Sequence, residues 1–186
     1  MTSSSRGDEV FSSPRLIVIT GGARAGKSQF AQKLGEQNGY LKRVFLATAV
    51  ACDREMKDRI GRHRRSRNGL WTTLEEPADL PARIPKKLLQ KGNLILLDCL
   101  PTFLTNLLLK GRSPQAIRRQ VAQLIRVVHQ PGLTVLVVTN EVGLGIVPEN
   151  ALSRQFRDLL GSVNQQVAKA ADEVHLLVAG IPVRLK

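Results

Sequence analysis

The segment from Leu16 to Ala31, LIVITGGARAGKSQFA, constrains the fold more than any other part of the chain. An apolar, β-branched run over 16–20 leads directly into 21–28, which matches G-x-x-x-x-G-K-[ST] at every fixed position. This pattern is typical of a P-loop, in which glycines let several backbone N–H groups surround a phosphate. The strand before it and the helix after it provide the context that the motif requires. We therefore interpret the segment as a nucleotide-phosphate site rather than an ordinary glycine turn.

Three side chains give this site its expected chemistry. Lys27 supplies a mobile cation that reaches the outer phosphates of a nucleotide, and the Ser28 hydroxyl can ligate Mg²⁺. The helix that begins near Lys27 points its positive N-terminal end at the same anion. Asp98 follows the apolar run Leu94–Leu97, the pattern of the acid that shares the Mg²⁺ with the P-loop hydroxyl. A strand-end carboxylate that caps the next helix is the alternative for Asp98.

The order of apolar segments predicts an α/β fold. Strands that are apolar throughout alternate with helical patterns, which indicates a mostly parallel sheet covered by helices on both faces. Pro182 follows the strand ending at Val178 so closely that we expect one antiparallel edge strand. A helix is also predicted over Leu80–Gln90, despite Pro81 and Pro85.

Ligands of parallel sheets bind beyond the carboxyl ends of the strands. We therefore expect the P-loop, Thr48, Asp98 and Asn140-Glu141 to meet in one crevice, although they are far apart in the chain. The pair Asn140-Glu141 stands at a strand end before two glycines. It is interpreted as a substrate or metal contact, with a flexible connection as the alternative.

The composition is that of a globular protein without a membrane span. Of the 186 residues, 42% are hydrophobic, and no apolar run approaches the roughly 20 residues of a span. Residues 1–13 are Ser-rich and are predicted to be a disordered tail, without the apolar region of a secretory signal, and 14–186 to be a single catalytic domain. Cys52 and Cys99 are too few for a disulfide framework or zinc site, which favours a reducing cytoplasm.

The formal net charge of +13 indicates an anionic partner. Seven basic residues against two acidic ones lie between Arg54 and Arg67, and such a local cluster beside a P-loop suits a triphosphate better than an extended nucleic-acid track. The rival hypothesis is a RecA-like ATPase that depends on nucleic acid, with affinity that falls steeply with salt. Aromatic residues, which such proteins use for stacking, make up only 4% of this chain.

His63 lies inside the basic cluster, in the run Arg62-His63-Arg64-Arg65. A neutral imidazole is a nucleophile that can form a phosphoramidate with a nucleotide. The arginines would disfavour the imidazolium and would also hold a triphosphate. The residues alone nevertheless favour the alternative, a surface histidine on a solvated basic helix.

Several longer segments are specific enough to indicate a family. They are GGARAGKS (21–28), ATA (47–49), DREMKDRIGRHR (53–64), WTTLE (71–75), LLD (96–98), TNEVGLGIVPE (139–149), FRDLLGSVNQ (156–165) and AGIPVRLK (179–186). In these segments the sequence resembles the bifunctional adenosylcobinamide kinase/adenosylcobinamide-phosphate guanylyltransferase family. Two positions depart from it: the family often has two adjacent histidines where this chain has Arg62-His63, and usually has Glu where Asp98 stands.

The resemblance implies a three-layer RecA-like P-loop domain with two activities. The first phosphorylates adenosylcobinamide with ATP or GTP, and the second transfers GMP from GTP, through a guanylyl-histidine, to give adenosylcobinamide-GDP in cobalamin biosynthesis. It also implies a homotrimer, Mg²⁺ held by Ser28 and Asp98, and no nucleic-acid partner. A cobinamide kinase without transferase activity is the closest alternative.

The resemblance further implies catalytic roles for His63 and Lys27. Together with the P-loop motif it predicts a set of nucleotide-binding residues: Gly21, Gly22, Ala23, Arg24, Ala25, Gly26, Lys27, Ser28, Ala47, Thr48, Ala49, Arg64, Arg65, Ser66, Arg67, Glu75 and Asp98.

Overall fold

The computed structural model describes residues 15–37, 39–50, 54, 61, 65 and 69–186. The predicted tail over 1–13 therefore lies outside the described residues, as do His63, Arg64, Ser66 and Arg67. The strands are β1 (Arg15–Gly21), β2 (Lys42–Ala47), β3 (Thr72–Glu75), β4 (Asn93–Asp98), β5 (Thr134–Val138), β6 (Glu173–Val178) and β7 (Ile181–Arg184). The helices whose bounds fall within the described residues are α1 (Lys27–Glu36), α2 (Leu100–Leu109), α3 (Pro114–Val128) and α4 (Ala151–Ala170).

The strands form one sheet in the order β3-β2-β4-β5-β1-β6-β7. Every neighbouring pair is parallel except β6 and β7, so the predicted mostly parallel sheet with one antiparallel edge is confirmed. Pro182 lies in the exposed edge strand β7, where a missing N–H costs no ladder hydrogen bond. The P-loop strand β1 is central, and β5 separates it from the strand that ends in Asp98.

The two faces of the sheet build two separate apolar layers, because successive side chains of a strand point to opposite faces. One face packs against α1 and contains Ile17, Ile19, Phe45, Leu94, Leu96, Leu136 and Val138. The other packs against α2, α3 and α4 and contains Leu16, Val18, Val44, Leu46, Ile95, Leu97, Val135 and Val137. Helices thus cover both faces, which confirms the predicted three-layer α/β arrangement. No helix of the described ranges is long and apolar enough to cross a membrane.

The predicted helix over Leu80–Gln90 is wrong. Only Lys86–Leu88 forms a single 3₁₀ turn, in which the Leu88 N–H donates to the Pro85 carbonyl at 2.8 Å. Pro81 and Pro85 lack the N–H that an α-helix needs and their rings clash with the preceding turn. The segment is held from outside instead, since the Gln120 side chain on α3 donates to the carbonyls of Ala78 and Leu80, each at 2.7 Å.

Gly35 lets α1 lie close to the sheet. A Cβ built there would lie 2.6 Å from Leu94 Cδ2 and 2.7 Å from Trp71 Cη2. Trp71 is fixed in turn, because its Nε1–H donates to Glu36 Oε1 at 3.0 Å and its ring meets Phe45 edge-on. The close packing of α1 against the sheet therefore depends on Gly35.

We expect Gly35→Ala to lower the free energy of unfolding by about 1–3 kcal/mol, because the added methyl group overpacks a closed contact. Chemical denaturation followed by the fluorescence of Trp71, the only tryptophan of the chain, measures this. Gly161→Ala on α4 is the matched control, since a Cβ there meets nothing within 4 Å. The control is expected to be neutral or to stabilise by up to about 1 kcal/mol through helix propensity. Equal changes in the two variants would refute the packing argument.

Candidate active site

The loop between β1 and α1 takes a shape that only glycine permits at two positions. Gly21 has φ 145°, and a Cβ there would lie 2.4 Å from the Leu177 carbonyl oxygen on the neighbouring strand β6. Gly26 has φ 87° and is the N-cap of α1. Any L side chain at these positions would meet steric strain. The motif glycines are therefore explained by backbone geometry as well as by phosphate binding.

The N-terminus of α1 differs from those of α3 and α4 in having no side-chain cap. Ser113 Oγ accepts from the Ala116 N–H at the start of α3, and Asn150 Oδ1 accepts from two N–H groups at the start of α4. At α1, no side chain from the described part of the chain makes such a hydrogen bond. Its first backbone donors are thus available to an anion, which the helix dipole attracts.

Lys27 is the cation of this site. Its side chain is largely buried, with 8% of the residue exposed, and its Nζ donates to the Gly22 carbonyl oxygen at 2.6 Å. Burial lowers the pKa of Lys27 below its usual value, and the nearby Cys99 and Asp98 oppose this only in part. The amine is therefore held inside its own loop, where an incoming phosphate oxygen can replace the carbonyl as its partner.

A cleft of about 630 Å³ opens beside the loop. Its walls are residues 23–29 of the loop and α1, and the ends of β2, β4 and β5: Phe45, Ala47, Ala49, Asp98, Cys99, Pro101, Thr102, Val138 and Asn140. The strand residues that line the cleft alternate along their strands with residues that pack against α2, α3 and α4. They therefore belong to the opposite face of the sheet, which packs against α1. The structure thus brings Lys27, Ser28, Asp98 and Asn140 to one cleft.

The strand register places Asp98 level with the end of β1. Asp98 pairs with Val138 on β5, and Val138 pairs with Ile19 on β1. Two strand spacings separate Asp98 from β1, or about 10 Å across the sheet. That gap leaves room for phosphates between the loop and the carboxylate.

Thr48 and Glu75 are predicted nucleotide-binding residues that are not among those lining the cleft. Thr48 is fully buried; its Oγ1 donates to the Cys99 carbonyl at 2.8 Å and accepts from the Cys99 N–H at 3.0 Å. Its own carbonyl accepts from Asn106 Nδ2 on α2 at 2.8 Å. Thr48 therefore supports the turn after Asp98. Glu75 is exposed at the end of β3, beside Ala47 and beyond the cleft wall.

The remaining predicted residues are placed as follows. Gly22 contributes its carbonyl to Lys27, and 23–28 with Ala47 and Ala49 line the cleft. Arg65 is helical and exposed. His63, Arg64, Ser66 and Arg67 fall outside the described residues.

The oxygen ligands suit Mg²⁺. Ser28 and Asp98 line the same cleft, and no group of three or more His, Cys, Asp or Glu side chains that could hold a metal occurs among the residues with described positions. Mg²⁺ is usually bound through one or two protein oxygens, with phosphates and water as its other ligands. A hydroxyl and a carboxylate beside a phosphate loop fit that requirement.

Cys99 is a cleft residue that the sequence interpretation missed. Burial, followed by the neighbouring Asp98 charge, raises the pKa of the thiol, while a hydrogen bond with Thr102 opposes this. The Sγ–Oγ1 distance to Thr102 is 3.1 Å. A thiol kept protonated is a weak nucleophile. The sequence signal that could have placed Cys99 in the cleft is its position directly after Asp98, the acid at the end of β4.

Nucleotide binding is expected to weaken as the pH rises. The loss should begin at a lower pH than the usual pKa of lysine would indicate. Because burial lowers the pKa of Lys27, its positive charge is lost as the pH rises, and this loss occurs at a lower pH than for an exposed lysine. The dissociation constant for ATP, measured from about pH 7 to about pH 10, should rise over this range. ATP is preferred because its base does not lose a proton there.

Lys27→Arg keeps its charge throughout this pH range and serves as the control. The alkaline loss of affinity should disappear in that variant. The same loss in Lys27→Arg would assign the titration to another group.

Comparison with known proteins gives consistent matches over nearly the whole chain. The family model described as cobinamide kinase / cobinamide phosphate guanyltransferase matches residues 17–185. The bifunctional adenosylcobalamin biosynthesis protein CobU of Escherichia coli is 41% identical over 184 residues, covering 92% of this chain and 99% of the relative. CobU of Salmonella typhimurium is 42% identical with the same coverage, and CobP of Pseudomonas aeruginosa is 40% identical over 91% of this chain and 96% of its own.

Two solved structures are similar at low identity. The KaiC-like protein of Pyrococcus horikoshii has a TM-score of 0.48 at 16% identity, over 88% of this chain and 71% of its own. The flagellar accessory protein FlaH of Methanocaldococcus jannaschii has a TM-score of 0.48 at 17% identity, over 100% of this chain and 86% of its own.

Proposed function

The chain belongs to the cobinamide kinase / cobinamide phosphate guanyltransferase family, and we propose that it carries out both reactions in the cleft beside the P-loop. The first reaction moves the γ-phosphoryl group of ATP or GTP to the hydroxyl of adenosylcobinamide. The second moves GMP from GTP to the resulting phosphate and gives adenosylcobinamide-GDP. The observation that carries this proposal is the cleft itself, in which a buried P-loop lysine meets Ser28 and Asp98.

In the kinase reaction the acceptor hydroxyl oxygen attacks the γ-phosphorus. A new P–O bond forms, the bond to the β-phosphate oxygen breaks, the nucleoside diphosphate leaves, and the hydroxyl proton passes to water. Lys27 and the uncapped N–H groups of α1 stabilise the charge on the phosphate oxygens. Ser28 and Asp98 would hold Mg²⁺, which neutralises phosphate charge and orients the outer phosphates.

In the transferase reaction His63 is the nucleophile. Its imidazole nitrogen attacks the α-phosphorus of GTP, the bond between the α-phosphorus and its bridging oxygen breaks, and pyrophosphate leaves. A phosphate oxygen of adenosylcobinamide phosphate then attacks the same phosphorus and frees the imidazole. This role rests on the family resemblance and on the basic residues around His63 in the sequence.

Two labelled nucleotides test the proposal. With Mg²⁺ and adenosylcobinamide, γ-labelled ATP or GTP should transfer its label to the corrinoid, and α-labelled GTP should then transfer GMP. Removal of Mg²⁺ with a chelator should stop both transfers. Transfer of the γ-label without the α-label would leave only the kinase. Turnover that requires DNA or RNA would instead support the nucleic-acid-dependent ATPase.

The proposal includes a homotrimer in the cytoplasm, where both nucleotides are available. The family resemblance supports the trimer, and the presence of only two cysteines agrees with a reducing compartment. Sedimentation equilibrium of the purified protein should give three times the 20.5 kDa mass of the chain. A monomeric mass would refute the trimer.

A further inference from the structure

Asn140 lines the cleft but has no part in the reactions described above. It follows β5 and shares the cleft wall with Lys27 and Asp98. Its carbonyl accepts a hydrogen bond, but its side-chain amide makes none to any of the residues whose positions are described. A half-buried amide that borders a phosphate cleft is available to a ligand.

The backbone around Asn140 is tied to the start of the P-loop. The Thr139 N–H donates to the Ile19 carbonyl at 2.9 Å, and the Glu141 N–H donates to the Gly21 carbonyl at 3.1 Å. Because β5 lies between β1 and β4 in the sheet, Asn140 stands between the loop and Asp98. This is the interval where the outer phosphates of a nucleotide would lie.

Asn164 on α4 fixes the end of β5 from the opposite face. Its Oδ1 accepts from Thr139 Oγ1 at 2.7 Å, and its Nδ2 donates to the Asn140 carbonyl at 2.9 Å. The oxygen and the nitrogen of the Asn164 amide thus hold the consecutive residues Thr139 and Asn140. Thr139 is buried, with 1% of the residue exposed. With Thr139 directed at α4, the alternation of the chain directs Asn140 to the cleft.

We propose that the Asn140 amide donates a hydrogen bond to a γ-phosphoryl oxygen of the bound nucleoside triphosphate, and that Asn164 positions it. The inference rests on the proposed function in that the γ-phosphoryl is the group transferred in the kinase reaction. A neutral donor at this point stabilises the charge that is redistributed over the γ-oxygens in the transition state. Asn140 is then a catalytic residue, and Asn164 acts only through it.

A binding experiment without any corrinoid tests the contact itself. Asn140→Asp places a carboxylate beside the γ-phosphate, so its dissociation constant for a GTP analogue with a non-hydrolysable β–γ bridge should rise by about tenfold or more. Its dissociation constant for GDP, which lacks that phosphate, should change by less than about threefold. Equal weakening of both nucleotides, or no weakening of either, would overturn the proposal.

Kinetics then test the catalytic role. Asn140→Ala should lower kcat of phosphoryl transfer on the order of 10²-fold, while KM for the nucleotide changes by less than about threefold. Asn140→Ser replaces it if the alanine variant does not fold, with the same expectation. An unchanged kcat would overturn the catalytic role.

A double-variant experiment tests the positioning role of Asn164. Asn164→Ala should lower kcat to a similar extent, and the double variant should show no further loss, because the two residues act as one unit. Gln166→Ala is the matched control: this amide on the same helix donates to the Arg118 carbonyl of α3 at 3.3 Å, so kcat should stay unchanged. Additive losses in the double variant would overturn the positioning role.

The binding experiment separates this inference from the proposed function. A wild-type protein that discriminates as expected but does not phosphorylate adenosylcobinamide would refute the function and leave the γ-phosphate contact standing. A wild-type protein that phosphorylates adenosylcobinamide, with an Asn140→Asp variant that binds both nucleotides normally, would refute only the contact.

Discussion

Replacement of Lys27 by alanine is expected to impair both reactions, each by on the order of 10²–10³-fold in kcat/KM. The two reactions break different bonds of a nucleoside triphosphate, but both place the same phosphates beside this amine. The geometry supports a shared role, since Nζ lies 2.6 Å from the Gly22 carbonyl inside the loop. Without it, the charge that moves onto the leaving phosphates in either transition state loses its nearest cation.

The same substitution should not destabilise the fold. Lys27 is 8% exposed, and its lowered pKa shows that burial opposes its charge. Removal of a buried cation whose partners are a carbonyl and a nearby carboxylate relieves a desolvation cost. We therefore expect a free energy of unfolding equal to or above that of the wild type. Chemical denaturation measures it, and such a value would exclude unfolding as the cause of a loss of activity.

Lys33→Ala is the matched control for Lys27→Ala. Lys33 lies on the same helix, in its last turn, and its side chain is exposed. The control removes an equal charge and should change both activities by less than about twofold. Full activity of Lys27→Ala, or an equal loss in both variants, would contradict a common phosphate site.

Those parts of the fold that depend on local pattern could be predicted from the sequence. The strand over Thr134–Val138 is a continuous apolar run between turn residues, a pattern that has few alternatives to a buried strand. The meeting of Lys27, Asp98 and Asn140 followed from a general rule about the carboxyl ends of parallel strands.

Thr48 shows a limit of prediction from a sequence motif. Ala47 and Ala49 line the cleft, but the Thr48 side chain between them is bonded to the Cys99 backbone, because one step along an extended chain reverses the side-chain direction. A motif read as a continuous string includes all three residues and carries no information about that alternation. The support of the Asp98–Cys99 turn by Thr48 also joins residues about fifty positions apart, which no local pattern reports.

The helix predicted over 80–90 is wrong for a different reason. Its apolar spacing suits a helix, but Pro81 and Pro85 interrupt the backbone hydrogen bonds, and Gln120 from α3 satisfies the carbonyls of Ala78 and Leu80 instead. The tertiary partner decides the conformation here. The place of β5 between β1 and β4, on which the inference about Asn140 depends, is likewise a property of the assembled sheet.

Replacement of His63 by alanine is expected to abolish the transferase reaction and spare the kinase. Wild-type protein incubated with α-labelled GTP and Mg²⁺ should acquire a label that is lost in acid and retained in base, as a phosphoramidate is. His63→Ala should acquire none, while its transfer of the γ-phosphoryl to adenosylcobinamide should stay within about threefold of wild type. The contrast arises because only the transferase reaction uses a protein nucleophile, whereas the P-loop serves both.

The other two histidines of the chain provide matched controls for this experiment. His129 is exposed at the end of α3, where its Nδ1 lies 2.8 Å from the Ile125 carbonyl oxygen. His175 lies on β6, 3.2 Å from Glu173 and against the ring of Phe30. Since neither lines the cleft, His129→Ala and His175→Ala should both keep the label. A label that persists in His63→Ala, or that disappears with His129 or His175, would assign the nucleophile to another residue, and its absence from the wild type would refute a covalent guanylyl intermediate.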